Sequence, residues 1–283
     1  MPELPEVETT LRGVAPYLIG ETITEIDIRE RRLRWPVPLE VDNLAGAQIV
    51  GASRRAKYLL FDTGRGTLIL HLGMSGSLRV IDPEAEWRKH DHIALRLSSG
   101  KELRFHDPRR FGCLLFCEGD PAAHRLIRNL GPEPLDDAFD GSILAAKAAG
   151  RSSAIKQFIM DAHVVVGVGN IYACEALFMA GIHPTRAAGK ISKPRLVKLV
   201  SAIKEVLGHS IEMGGTTLRD FLREDGQPGY FKQSLRVYGR ESDSCLICES
   251  TIRRIVQNGR STFFAECVNV SAFTRTHGSR RPL

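Results

Sequence analysis

The chain has 283 residues, 43% of them hydrophobic and 25% charged. These are ordinary proportions for a folded globular protein, and they exclude a disordered, fibrous or polytopic membrane chain. Lys and Arg outnumber Asp and Glu by 39 to 33, and the net charge of +6 favours a polyanionic partner without requiring one. No apolar run approaches the ~18–20 residues that cross a bilayer. The opening MPELPEVETT lacks the basic-then-apolar pattern of an export signal, so a cytoplasmic location and no membrane partner are expected. The length suggests two domains, with room for a small appendage.

Residues 5–15 predict a helix, with Pro5 in the first turn and Val7, Leu11 and Val14 on one face. After Gly20 the period changes to two, from Thr22 to Ile28. Strand-like runs follow at 47–50, 57–61, 67–72, 76–81, 92–97, 101–106 and 113–117, separated by turns such as Thr63-Gly64 and Ser99-Gly100. Many short strands in close succession predict a β-sandwich or barrel. Gly131-Pro-Glu-Pro-Leu-Asp136 marks a boundary. Beyond it the period is helical: Ile155, Phe158 and Ile159 share a face, and so do Ile171, Cys174, Leu177 and Phe178, with Gly181 as the residue that ends that helix. Leu196 to Leu207 stripe a longer helix that stops before Gly214-Gly215. From about 226 the chain is rich in Gly, Tyr and Arg, and short strands with a metal knuckle fit it best.

Several features carry chemistry. Methionine is readily removed ahead of proline, which leaves Pro2 with a free secondary amine. A terminal amine has a pKa near 7.7–8.0, against ~10.4 for lysine, and can attack an aldehyde-level carbon to give a Schiff base. Glu3 and Glu6 lie beside it as proton donors; a plain capped helix start is the competing reading. Lys57 ends the basic run Arg54-Arg55-Ala56-Lys57. Gly167-Val-Gly-Asn170 opens a helix and makes an anion site. Cys113, Cys117 and Cys174 lie in apolar surroundings and read as small buried hydrophobes, whereas Cys245, Cys248 and Cys267 cluster near the C-terminus with metal-ligand spacing.

Long segments in order resemble the bacterial formamidopyrimidine-DNA glycosylase family. They are MPELPEVETTLRG at the start, RRAKYLL (54–60), HLGMSGSLR (71–79), KHDHIAL (89–95), DPRRFG (107–112), GVGNIYACEALF (167–178), GGTTLRDF (214–221), GQPGYFKQSLRVYGR (226–240) and NGRSTFF (258–264). The resemblance implies that the Pro2 amine attacks C1′ of a damaged nucleotide and that Glu3 supplies a proton. It implies that Lys57 and Arg260 grip phosphates at the lesion during β- and δ-elimination. Met74, Arg109 and Phe111 would fill the duplex when the damaged base is flipped out, apolar groups filling the hole and a guanidinium bonding the orphaned cytosine. His71, His90, Arg151 and Asn170 match other DNA-contacting positions, and Lys156 adds a phosphate contact. Thr216-Thr217 and Tyr238 fall in the lesion loop and the approach to the C-terminal module.

The family pattern Cys-x2-Cys-x16-Cys-x2-Cys holds a structural zinc. Here Cys245 and Cys248 fit, but Ala265 follows the sixteen-residue spacer and Cys267 stands two further on, as after a one-residue deletion. Three thiolates remain, with His277 as a candidate fourth ligand.

The implied fold is α+β and multidomain: a β-sandwich catalytic domain (1–130), a helix–two-turn–helix DNA-binding domain (131–225), a zinc-finger-like hairpin (226–269) and an unplaced tail (270–283). The implied function is a monomeric base-excision-repair glycosylase and AP lyase. It acts on 8-oxoguanine and formamidopyrimidines in double-stranded DNA lying in a basic cleft between the large domains, with no catalytic cofactor. Two alternatives stay open: an endonuclease VIII-like enzyme for oxidised pyrimidines, and a damaged-DNA-binding protein that does not cut. Leu4 and the Met74/Arg109/Phe111 set argue against the first, and the intact Pro2-Glu3 pair with Lys57 against the second.

Overall fold

In the computed structural model, residues 2–214 and 235–266 are described. They fall in two compact units, Pro2–Glu133 with Gly208–Gly214, and Pro134–Leu207 with Leu235–Glu266.

The first unit opens with α1 (Leu4–Leu18), longer than the apolar spacing predicts. Its apolar face, Val7, Leu11, Val14 and Leu18, is buried. Eight strands follow: β1 (Ile23–Ile28), β2 (Gly51–Arg55), β3 (Tyr58–Asp62), β4 (Thr67–His71), β5 (Ser77–Ile81), β6 (Asp91–Leu97), β7 (Glu102–His106) and β8 (Cys113–Cys117). They form two antiparallel four-stranded sheets, ordered β1-β6-β7-β5 and β2-β3-β4-β8. One apolar core joins Ile23, Leu78, Leu95 and Phe105 of the first sheet to Leu59, Phe61, Leu70 and Leu114 of the second, with α1 against it. The second sheet is buried on its other face too, where Leu60, Ile69, Cys113 and Leu115 pack with Ile127 and Trp35. Two covered faces explain why β3, β4 and β8 read as continuous apolar runs rather than alternating ones.

Two sequence expectations change here. Residues 47–50 form no strand; only Gln48 makes an isolated bridge, to Thr22. The strand is β2, whose Gly-Ala-Ser-Arg-Arg carries no apolar alternation and is stabilised by its ladder with β3. Cys117 is half-buried rather than buried, whereas Cys113 is enclosed and burial pushes its thiol up to about 11.

The second unit contains α2 (Gly141–Ala148), α3 (Ile155–Ile159), α4 (Asn170–Ala180) and most of α5 (Lys193–Glu212), followed by the hairpin β9 (Arg253–Gln257) and β10 (Arg260–Phe264). Asp140 caps α2, its carboxylate accepting from Ser142 and Ile143. Gly181 ends α4 in the left-handed conformation, φ 69°. The hairpin turns on Asn258-Gly259, both at positive φ, the pair that a two-residue turn favours.

Candidate functional site

In the first unit, strand register collects the candidate residues at one end of the two sheets. In the second sheet Arg55, Tyr58, His71 and Cys113 form one row of partners. Lys57 sits in the β2–β3 turn beside that row, Met74 follows His71, and Arg109 and Phe111 precede Cys113. In the first sheet Ser77 and Asp91 both pair with His106. His90 and Asp107 therefore flank the equivalent row.

Buried acids fix these loops. Asp107, fully buried, accepts from Ser75 Oγ (3.0 Å), Gly112 N (2.7 Å) and Arg109 N (3.3 Å). It thus joins the residue after Met74 to the turn that presents Arg109 and Phe111. The approach is close enough to demand glycine: a Cβ on Gly73, at φ 68°, would lie 2.4 Å from Gly112 N. Phe111 is 45% exposed, with the Arg109 guanidinium 5.0 Å from its ring. A large aromatic group exposed on a pinned turn contributes little to the core, as the resemblance requires of a wedge. Met74 is half-buried. Asp91 holds the turn before β6, accepting from Arg88 N (2.9 Å), Arg79 (2.6 Å) and His106 (2.8 Å). Burial pushes its carboxyl up, but these partners together hold it well below the usual range.

Glu133 organises the turn that carries Lys57. Its carboxylate accepts from Arg54, Arg55 and the Ala56 N–H, each at 2.7 Å. Ala56 has φ 54°, a conformation costing an alanine about 1 kcal/mol, and the bond to its N–H offsets that strain. Arg54 also donates to Glu8 of α1 (2.8 Å), tying the helix to β2. Two cations of the basic run are therefore paired with carboxylates, while Lys57 lies close enough to His71 to act on its titration. Burial, with help from Lys57 and Arg34, pushes His71 down to about 4. Its ring is neutral at pH 7, and Nδ1 accepts from Gly73 N (2.9 Å).

Pro2 is buried directly ahead of α1. Glu3 is the N-cap, 2% exposed, and its N–H donates to the Glu6 carboxylate (2.8 Å). The capping box is reciprocal, the Glu3 side chain accepting the Glu6 N–H in turn, and Glu3 is the acid directly adjacent to Pro2.

In the second unit, Arg260 and Asn170 line a cavity of about 300 Å³ with Lys156, Gln157, Met160, Gln257 and Asn258. Its cationic and amide walls suit an anion. Lys156 departs from the expected phosphate contact: it is 2% exposed and its Nζ donates to Asn170 Oδ1 (2.6 Å), Thr262 Oγ1 (2.6 Å) and the Ser261 carbonyl (3.2 Å). The Asn170 Nδ2 donates to the Ser261 carbonyl (3.0 Å). Arg151 is exposed on a neighbouring concavity with Lys147 and His163.

The four-cysteine zinc site does not fit the described residues. Cys245 is buried, Cys248 is exposed with Sγ 2.9 Å from Ser250 Oγ, and Ala265 is fully buried where a thiolate is needed. Among the described residues no group of three His, Cys, Asp or Glu side chains is placed to hold a metal. Cys267, His277 and Thr216-Thr217 lie outside the described residues.

Residues 1–114 match the formamidopyrimidine-DNA glycosylase N-terminal domain model, and residues 130–222 match the H2TH domain model of the same enzymes. The chain belongs to the formamidopyrimidine-DNA glycosylase family. A family member from Thioalkalivibrio sulfidiphilus is 56% identical over 93% of this chain and 98% of its own length. One from Methylococcus capsulatus is 57% identical over the same shares. Among solved structures, the MutM (Fpg) protein of Thermus thermophilus superposes with a TM-score of 0.86 at 37% identity, covering 94% of this chain and 98% of its own. A Lactococcus lactis Fpg variant complexed with Fapy-dG-containing DNA gives 0.88 at 31% identity, covering 94% and 99%.

Asp107 and Glu133 carry no sequence signal of their roles. Asp107 sits in a motif read for its Arg and Phe, and Glu133 in a stretch read only as a domain boundary. An acid beside Gly and Pro, more than seventy residues from its partners, gives no local signal.

Proposed function

We propose that this chain is a base-excision-repair DNA glycosylase and AP lyase that removes oxidised purines, 8-oxoguanine and formamidopyrimidines, from duplex DNA. The observation that carries this reading is the gathering of Lys57, His71, Met74, His90, Arg109 and Phe111 at one end of the sandwich by strand register. A flipped nucleotide needs that combination: cations for phosphate, a wedge for the vacated stack and a guanidinium for the orphaned base.

The Pro2 nitrogen, freed by loss of Met1, attacks C1′. The C1′–N9 bond breaks and the base leaves with that electron pair. Glu3 delivers a proton to the ring oxygen as the sugar opens. The resulting iminium acidifies C2′–H, and loss of that proton expels the 3′-phosphate. Loss of the C4′ proton then expels the 5′-phosphate. Lys57 and Arg260 hold the phosphates that leave. Every step is amine and acid–base chemistry, so the reading calls for no catalytic cofactor. His71, His90, Arg151 and Asn170 belong to the DNA contact surface, and His71, kept neutral, acts there as a hydrogen-bonding group.

The proposed modules are residues 1–130 for catalysis, 131–225 for DNA binding and 226–269 to deliver Arg260, in a cytoplasmic monomer. Among the described residues no helix is long and apolar enough to cross a membrane.

Borohydride should trap a covalent complex between the protein and an 8-oxoguanine duplex. Pro2→Gly, or a residue retained ahead of Pro2, should nearly abolish it. Trapping that survives both changes would refute the assignment and move the nucleophile to a lysine. Trapping on thymine glycol in preference to 8-oxoguanine would favour the pyrimidine-specific alternative.

A further inference from the structure

A two-stranded hairpin is marginal by itself, and in a metal-bound module closure by the ligands provides folding energy. Besides the bonds of Asn170 to Ser261 and Gln257 to Pro184 and the ring contact of Phe264 with His183, three further attachments within its own unit hold the β9–β10 hairpin.

The first is Glu175 of α4, 1% exposed. Its carboxylate accepts the backbone N–H groups of Arg236 (2.8 Å), Val237 (2.9 Å) and Tyr238 (2.9 Å), gripping the segment that leads into the hairpin. The second is Lys156 of α3, whose Nζ holds Ser261 and Thr262 immediately after Arg260. Both sit in a low-dielectric setting, where a satisfied hydrogen bond is stronger than in water; burial pushes the Glu175 carboxyl up, and the three N–H donors oppose that shift. The third is an apolar cluster in which Val237, Cys245, Ile252, Phe263 and Ala265 close on Cys174 and Phe178 of α4. Ala265 stands where the cysteine spacing calls for a thiolate. Its methyl is fully buried in that cluster, so the position belongs to an apolar core here.

The geometry points to a hairpin that folds and places Arg260 without zinc, with Glu175 and Lys156 as the positioning residues that do the work of the metal. This rests on the proposed lyase reading for the role of Arg260, but its fold claim stands apart from substrate.

Two arms test it on the full chain. In the first, zinc content is measured by mass spectrometry, and thermal melting is followed with and without 1,10-phenanthroline. Zinc well below one per chain is expected, with a melting temperature unchanged by the chelator and unchanged in Cys248→Ser. Stoichiometric zinc, or a melting temperature lowered by the chelator, overturns the proposal. In the second arm, Glu175→Gln and Thr262→Val are compared with the parent on an 8-oxoguanine duplex. Each should lower the ratio of δ- to β-elimination product several-fold while borohydride trapping at Pro2 persists, because only Arg260 is displaced. An unchanged ratio, or an equal loss of every step, overturns the positioning role. If the parent itself fails to trap on oxidised purines, the lyase reading has failed instead, and the first arm still decides the hairpin.

Discussion

At the end of the sandwich, Lys57, Met74, Arg109 and Phe111 are carried on short turns whose positions follow from eight paired strands over one apolar core. On the hairpin, Arg260 begins a five-residue strand with one partner, and the buried side chains of Lys156 and Glu175, from elsewhere in the unit, help to hold it. The first arrangement spreads the placement of a functional residue over many backbone bonds. The second concentrates it in a few side chains. Single substitutions therefore separate stability from function in the sandwich, and they couple position to individual acids and cations in the hairpin.

The largest contrast is between two phenylalanines of the sandwich unit. Phe105→Ala, at a fully enclosed core position, should cost about 3–5 kcal/mol. Phe111→Ala should leave the melting temperature nearly unchanged yet impair excision from duplex, and Met74→Ala and Arg109→Ala should do likewise. A large fall in melting temperature for Phe111→Ala would make it a core residue and remove the distinction.

Next comes Arg54→Ala. It removes the guanidinium that bridges Glu8 and Glu133, leaving Glu8 to Arg12 and Glu133 to Arg55, and the loss of these part-buried charged hydrogen bonds costs roughly 2 kcal/mol; denaturant unfolding measures it. The loss should also appear as weaker β-elimination, since Glu133 shapes the Lys57 turn. Unimpaired elimination in a destabilised Arg54→Ala would show that the turn holds without that network.

A smaller effect lies in binding. Affinity for undamaged duplex should fall steeply with salt, and Lys57→Ala and Arg260→Ala should each flatten the slope of log K against log salt by about one unit. A slope unchanged in either variant would remove that residue from the phosphate contacts.

The smallest concerns pH. His71 is held neutral in the fold, with a pKa near 4 against an ordinary 6.5. The unfolded chain binds that proton first, so stability falls as the pH drops from 6.5 towards 4. His71→Gln should flatten the stability–pH curve in that window. An unaltered curve would show that His71 is less enclosed than its contacts imply.

Much of this protein is legible along the chain. Local periodicity places α1, seven of the eight sandwich strands, α3, α4 with its Gly181 terminus, and α5, because each rests on apolar spacing that its own residues display. Resemblance points to the motif residues Pro2, Lys57, Met74, Arg109, Phe111 and Arg260, and Asn258-Gly259 is a hairpin signal in its own right. Tertiary structure alone decided the rest. β2 is a strand because β3 pairs with it, not because its polar residues favour one. Arg54 and Arg55 became structural because Glu8 and Glu133 come from distant segments to neutralise them. Lys156 turned from a phosphate contact into a clamp because β10 folds back over it. Ala265, a gap in a metal motif along the chain, became part of a core once Cys174 and Phe178 packed against it. In each case the deciding partner lies far away in sequence, and burial fixes what a charged or small residue does only after that partner has arrived.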